Sequence, residues 1–158
     1  MTSIFTDEYY EMALLISQVS QSLYQARYQE LKKYGLTPRK AALLNMVSMI
    51  GKKATPAEIA RWVYRKPHSI TELINRMEKE GLVTRVKDLE RRNLTRIEMT
   101  EKGRNLHHLS LNRKVITRIM SSLTKEERKQ LRLLLQIIRS SALEEIGFKG
   151  KPTFPASE

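Results

Sequence analysis

Apolar residues first recur at Phe5, Tyr9, Met12, Ile16, Val19, Leu23 and Ala26, in alternating steps of four and three. That heptad-like seam predicts one long helix from Thr6 to about Lys33. Thr6 or Asp7 can cap it, and Asp7, Glu8 and Glu11 suit the positive end of its dipole. Leu15, Tyr24, Tyr28 and Leu31 widen the apolar face. At about 1.5 Å per residue the helix runs roughly 40 Å, more than a small domain can cover. Packing against a second chain is therefore the sharper expectation. An amphipathic helix lying over its own core is the plainer one.

The pattern then shortens. Gly35 ends the first helix, and Thr37-Pro38 opens a second, with Ala41, Leu44, Val47 and Ile50 inward and Gly51 closing it. Thr55-Pro56-Ala57-Glu58 starts a third as a capping box, with Ile59, Ala60 and Val63 inward. Arg65-Lys66-Pro67 interrupts it. A fourth helix runs from about Pro67 to Glu80, burying Ile70, Leu73, Ile74 and Met77, and Gly81 ends it. Leu82–Lys87 and Leu94–Thr100 alternate as two strands of a hairpin. Glu101 to about Ser121 reads as another long helix, with Leu106, Leu109, Val115, Ile116 and Ile119 apolar. Thr124-Lys125-Glu126-Glu127, a further capping box, opens a last helix with Leu131, Leu134, Leu135, Ile138 and Ala142 inward, ended by Gly147. The fold class is thus mainly α with a small two-stranded β wing, a winged helix-turn-helix flanked by further helices.

Charge adds a partner. The 158 residues carry a net +12, which favours a polyanion, most often nucleic acid. Residues 1–34 hold three Lys/Arg against four Asp/Glu, whereas residues 35–99 hold fourteen against seven and residues 100–158 twelve against six. The basic excess avoids the first helix, which points to a separate task for it. There is no cysteine, so disulfides, thiolate chemistry and cysteine-ligated zinc are excluded. No apolar run reaches membrane-spanning length, and the acidic start MTSIFTDEYYEM does not suit a signal peptide. The expected location is cytoplasmic and nucleoid-associated.

Candidate chemistry concentrates between Thr55 and Thr100. Lys66, His68, Ser69, Thr71, Glu72, Asn75, Arg76 and Lys79 fall on the outer side or edges of the fourth helix. Hydroxyls, an amide and guanidinium groups are what base edges and phosphates require. A solvated face is the ordinary reading of such residues. Here the helix is second in a helix-turn-helix and precedes a wing, which favours DNA. From Arg85 to Arg96 there are five Lys/Arg against two Asp/Glu. An arm with Lys87, Arg91 and Arg92 near its tip can put a guanidinium into a narrow minor groove, with Asp88 or Glu90 orienting the arginine. With no cysteine and only His68, His107 and His108, local spacing assembles no metal set. No acid/base-plus-nucleophile constellation and no phosphate loop occurs, so neither an enzyme nor a cofactor is expected.

Taken together, GLTPRKAALLNMV, TPAEIARWV, SITELINRMEKEGLVTR, ERR and MTEKGRNL resemble the MarR family of winged-helix transcription regulators. The motifs cover roughly Gly35 to Leu106, and the helix order covers nearly the whole chain. The resemblance implies a homodimer in which the first and last helices interlock and the winged domains meet successive major grooves of a palindromic site. It places Ser69, Thr71, Asn75 and Arg76 on the recognition helix, beside the DNA-binding candidates Lys66 and His68, and makes Arg91 or Arg92 the wing arginine. It also implies a small aromatic ligand that releases DNA, for which Tyr24, Tyr28, Trp62 and Tyr64 are the aromatic candidates, although aromatics at such spacings are more often simple core. The wing departs from the family pattern Asp-x-x-Asp-Arg-Arg, reading Lys87-Asp88-Leu89-Glu90-Arg91-Arg92.

The expected organisation is a dimerisation helix at 1–34, a DNA-binding domain at 35–100 with its helix-turn-helix at about 55–78 and wing at about 82–100, dimerisation helices at 101–148 and a flexible tail at 149–158. The expected function is a homodimeric, sequence-specific regulator of double-stranded DNA, most simply a repressor, with no membrane partner. Its rivals are a non-specific architectural DNA-binding protein, a protein-interaction adaptor and an enzyme.

Overall fold

The computed structural model describes residues 7–87 and 93–149 of the chain. Asp88, Glu90, Arg91 and Arg92 of the wing, the cap candidate Thr6, the seam residue Phe5 and the tail from residue 150 lie outside the described residues. Helix α1 spans Glu8–Leu31 and is capped by the Asp7 carboxylate, which accepts from the Tyr9 and Tyr10 amides at 2.9 and 3.4 Å. A 3-10 turn, Lys32–Tyr34, stops at Gly35 in the left-handed region (φ 68°), where a side chain would be strained. Helix α2 (Pro38–Ile50) starts on Thr37, whose hydroxyl accepts from the Lys40 amide at 3.3 Å. Helices α3 (Pro56–Trp62) and α4 (Pro67–Lys79) form the helix-turn-helix. Strands β1 (Val83–Lys87) and β2 (Thr95–Met99) pair antiparallel, with Val83 opposite Met99 and Arg85 opposite Ile97. Helices α5 (Glu101–Ser110), α6 (Lys114–Met120) and α7 (Lys125–Glu145) follow.

One core holds the helix-turn-helix and the wing together. Leu31, Leu36, Leu44, Ile59, Ile74, Met77, Val83 and Ile97 are all fully buried, one or two from each neighbouring element. Each such side chain contributes about 1.5–3 kcal/mol by leaving water. The Ile97 amide donates to the Ala54 carbonyl at 2.7 Å, tying the wing to the loop before α3. Leu31 belongs to this core, so α1 is anchored in the domain at its C-terminal end. Its first turns are not: Tyr9, Met12, Leu15 and Val19 are exposed.

Three expectations need correction. The single helix expected from Glu101 to Ser121 is two, broken at Leu111–Arg113. The cause lies on α1. The Arg27 guanidinium donates to the Ser110 carbonyl and, at 3.2 Å, to the Asn112 carbonyl, while Glu30 accepts the Val115 amide at 3.1 Å. Side chains from α1 thus satisfy backbone groups that a continuous helix would have paired internally. Second, the box at Thr55 is half formed: Thr55 accepts the Glu58 amide at 3.2 Å, but the Glu58 carboxylate turns to Arg61 and Trp62. The box at Thr124 and Glu127 is complete. Third, Leu131, Leu134, Leu135, Ile138 and Ala142 of α7 are exposed in the single chain, and Leu143 is that helix's buried residue. Leu109 and Ile119 are exposed as well.

Candidate nucleic-acid interface

Helix α4 presents one polar face. With Ile70, Ile74 and Met77 turned to the core, His68, Ser69, Glu72, Asn75, Arg76 and Lys79 all lie exposed within one arc of about a third of a turn. Lys66, also exposed, supplies the backbone cap without a side-chain hydrogen bond. Thr71 is half-buried, and its hydroxyl donates back to the Pro67 carbonyl at 3.0 Å, so its proton is already used inside the helix. Glu72 sits mid-face, 3.3 Å from His68. An acid there repels phosphate and can accept only from a donor such as cytosine N4.

The C-terminal end of α4 is pinned from four directions. Glu78 and Glu80 stand at the negative end of the helix dipole, where acids are unfavourable without partners. Arg85 of β1 pairs with Glu78, whose second oxygen accepts the Arg85 amide at 3.1 Å. Lys40 of α2 donates to both Glu80 oxygens at 2.8 and 2.7 Å. Lys102 of α5 donates to the Glu80 carbonyl at 2.9 Å, and the Thr100 hydroxyl donates to the Gly81 carbonyl at 2.6 Å. Thr100 also accepts the Gly103 amide, capping α5. These contacts tie the C-terminal end of α4 to the base of the wing. Arg85 additionally reaches Asn75, with Nη2 2.6 Å from Oδ1.

Beside this face lies a cavity of about 570 Å³ between α1, α2, α3 and α4. Tyr24, Arg39, Arg65, Ser69, Glu72 and Arg76 line it, and Arg39 stacks over the Tyr24 ring at 5.9 Å. Three arginines against one acid make it electropositive.

Residues 36–103 match a family model described as a winged helix DNA-binding domain. By structure the chain is similar to the organohalide-sensing RdhR transcriptional regulator in its 2,4-dichlorophenol-bound form (TM-score 0.83, 28% identity, covering 100% of this chain and 98% of that one). It is similar to S. aureus MepR in complex with DNA (TM-score 0.75, 22% identity, 82% and 96% covered). It is also similar to a mutant of E. coli MarR complexed with operator DNA (TM-score 0.76, 18% identity, 84% and 99% covered). This is a winged-helix protein with the MarR fold. No curated protein matches it by sequence.

In this winged-helix chain the aromatic candidates part company. Tyr24 lines the cavity; Tyr28, Trp62 and Tyr64 do not. Tyr28 lies exposed on α1, and the Trp62 indole N–H donates to Glu58 at 2.9 Å. Tyr64 takes a left-handed backbone (φ 52°) between α3 and α4, and its ring packs edge-on against Phe148 at 5.2 Å. Lys87 lies exposed at the end of β1. Of the residues that make the site, reading the sequence passed over Arg85, Glu78, Lys40, Arg39 and Arg65. Glu78 and Arg85 carried a signal, opposite charges flanking the Gly81 turn. Lys40 and Arg39 had none, because only the fold brings α2 to the two ends of α4. Among the described residues no group of three or more His, Asp or Glu side chains is placed to hold a metal ion, and no helix is long and apolar enough to cross a membrane.

Proposed function

We propose that the protein is a cytoplasmic MarR-type transcription regulator, a homodimer that binds a palindromic operator and represses from it. The observation that carries this is the solvent-facing polar arc of α4, braced onto a basic wing. Each protomer lays α4 in a major groove, with Ser69, Asn75 and Arg76 toward base edges, Lys66 and His68 toward phosphate, and Lys87 with Arg91 or Arg92 along the minor groove. Asp88 or Glu90 orients the wing arginine. The exposed apolar faces of α1 (Tyr9, Met12, Leu15) and α7 (Leu134, Ile137, Ile138) support the second protomer, since soluble monomers rarely leave such surface in water.

The electropositive cavity fits a small anionic aromatic ligand, its ring against Tyr24 and its charge on Arg39, Arg65 and Arg76. Because Ser69, Glu72 and Arg76 serve both cavity and DNA face, ligand and operator compete for the same side chains. The test is selection from a random duplex pool at near-physiological salt. The expected result is a two-fold symmetric motif with half-sites about one helical turn apart. An unenriched pool bound tightly only at low salt would establish the architectural alternative.

A further inference from the structure

We infer that Arg85 makes Asn75 a donor-only reader of DNA. The inference rests on the proposed recognition role of α4 and adds a specificity determinant to it. A free asparagine can pair bidentately with adenine, accepting from N6 with its oxygen and donating to N7 with its amide. Here the oxygen is turned to Arg85, which engages one of its two lone pairs and holds the amide away from the two-point geometry that adenine requires. Arg85 Nη2 lies 2.6 Å from Asn75 Oδ1, and a guanidinium carries donors only, so the group facing it must be the amide oxygen. Orientation of the amide therefore follows from chemistry.

Arg85 cannot easily let go. Its Nη1 and backbone amide are both held by the Glu78 carboxylate, and the side chain is largely covered. Charge-assisted bonds of this kind are roughly twice as strong as neutral ones. Asn75 itself is exposed on the polar arc of α4, and among the described residues its Nδ2 makes no hydrogen bond, which leaves that group to donate. Such a group suits bases that offer acceptors alone: guanine with O6 and N7, or thymine with O4. Adenine presents its own donor beside N7, and cytosine presents a donor only. The side chain that sets the preference is thus on the first wing strand, away from the groove.

The test is the same random-pool selection run on the full-length protein and three variants. Asn75→Ala locates the base position that Asn75 reads, by loss of preference there. The wild type is expected to favour guanine or thymine at that position. Arg85→Ala frees the amide and is expected to shift preference toward adenine by roughly fivefold or more. Asn75→Asp keeps an acceptor for Arg85 but turns an oxygen outward, and is expected to favour cytosine. If Arg85→Ala fails to fold, Arg85→Lys takes its place, keeping a cation for Glu78 without the second guanidinium nitrogen that reaches Asn75. An enriched wild-type motif with adenine at the Asn75 position, unchanged by Arg85→Ala, overturns the inference alone, as does Asn75→Asp without a gain for cytosine. A wild-type pool with no motif overturns the regulator reading and this inference with it.

Discussion

Gly103 sits in the first turn of α5, where alanine would ordinarily be the better residue by about 1 kcal/mol. Here the sign should reverse. A Cβ built on Gly103 would lie 1.9 Å from the Leu82 carbonyl oxygen and 3.0 Å from its carbon. Both are backbone atoms, so no rotamer relieves the clash. Carbon and oxygen need about 3.3 Å, and α5 must therefore retreat by more than an ångström. That movement strains the Thr100 amide to Leu82 carbonyl bond (3.1 Å) and the Thr100 hydroxyl to Gly81 carbonyl bond (2.6 Å). Overpacking costs about 1–3 kcal/mol, and two weakened hydrogen bonds about 1 kcal/mol each. Against the propensity gain, Gly103→Ala should lose about 2–4 kcal/mol, or roughly 4–16 °C in Tm for a chain of this size. Thermal and urea unfolding followed by far-ultraviolet dichroism, at one fixed protein concentration, would measure it. A variant as stable as the wild type would refute the reasoning, because it would mean that α5 is not seated on the Leu82 carbonyl.

Other expectations follow from the same contacts. Glu30→Ala removes the charged partner of Arg27 and the acceptor for Val115; stability should fall by about 2 kcal/mol, with faster amide exchange at Val115, and unchanged exchange there would count against the role given to α1. Stability should also fall in acid, in two stages. Burial first, then Arg113 and His108, lower the His107 pKa below 6.5, so the folded state favours neutral imidazole and loses stability as pH drops below about 6.5; His107→Phe should flatten that stage of a pH-resolved urea series. Hydrogen bonds from Arg61 hold Glu58 below 4.5, with burial opposing. At Glu30 burial raises the pKa, but the Val115 amide and Arg27 outweigh it and the net shift is downward. Both acids therefore stabilise above about pH 4.5, and that stability goes as pH falls through their lowered values. Finally, Ile137→Glu on the exposed face of α7 should convert the proposed dimer to monomers by sedimentation while leaving the winged domain folded; a dimer that survives would move the interface elsewhere.

Where packing repeats a local rule, the sequence was legible. Thr37-Pro38, Thr55-Pro56 and Thr124 through Glu127 mark helix starts because capping is decided within four residues. The α4 core face and the hairpin follow from period alone. The break after Ser110 was not legible, because it is made by Arg27 and Glu30, more than eighty residues away. The α7 face was misread for a related reason. Its apolar residues were assigned inward from their spacing, but spacing cannot say whether the cover is the same chain. At the site, exposed types on α4 were readable, whereas the bracing cations Arg85, Lys40 and Lys102 each come from a different element. Charge alone does not tell a groove-facing cation from one that holds a helix end.

The asymmetry of α4 decides how a ligand in the cavity can act. Its C-terminal end is fixed by Glu78, Glu80 and the Gly81 carbonyl to three other elements. Its N-terminal end begins at Lys66 and Pro67 with no side-chain cap, and uncapped first-turn amides leave that end the weaker one. A ligand wedged between α1 and α4, as proposed above, would therefore tilt α4 about its C-terminal end. Lys66, His68 and Ser69 swing most, while Asn75 and the wing base stay in place. Amide exchange should accordingly be faster at His68 and Ser69 than at Met77 and Glu78, and a cavity ligand should change the first pair and leave the second. Uniform change along α4 would mean that the pins at Glu78 and Glu80 yield, and that release of DNA is a movement of the whole winged domain instead of a pivot within it.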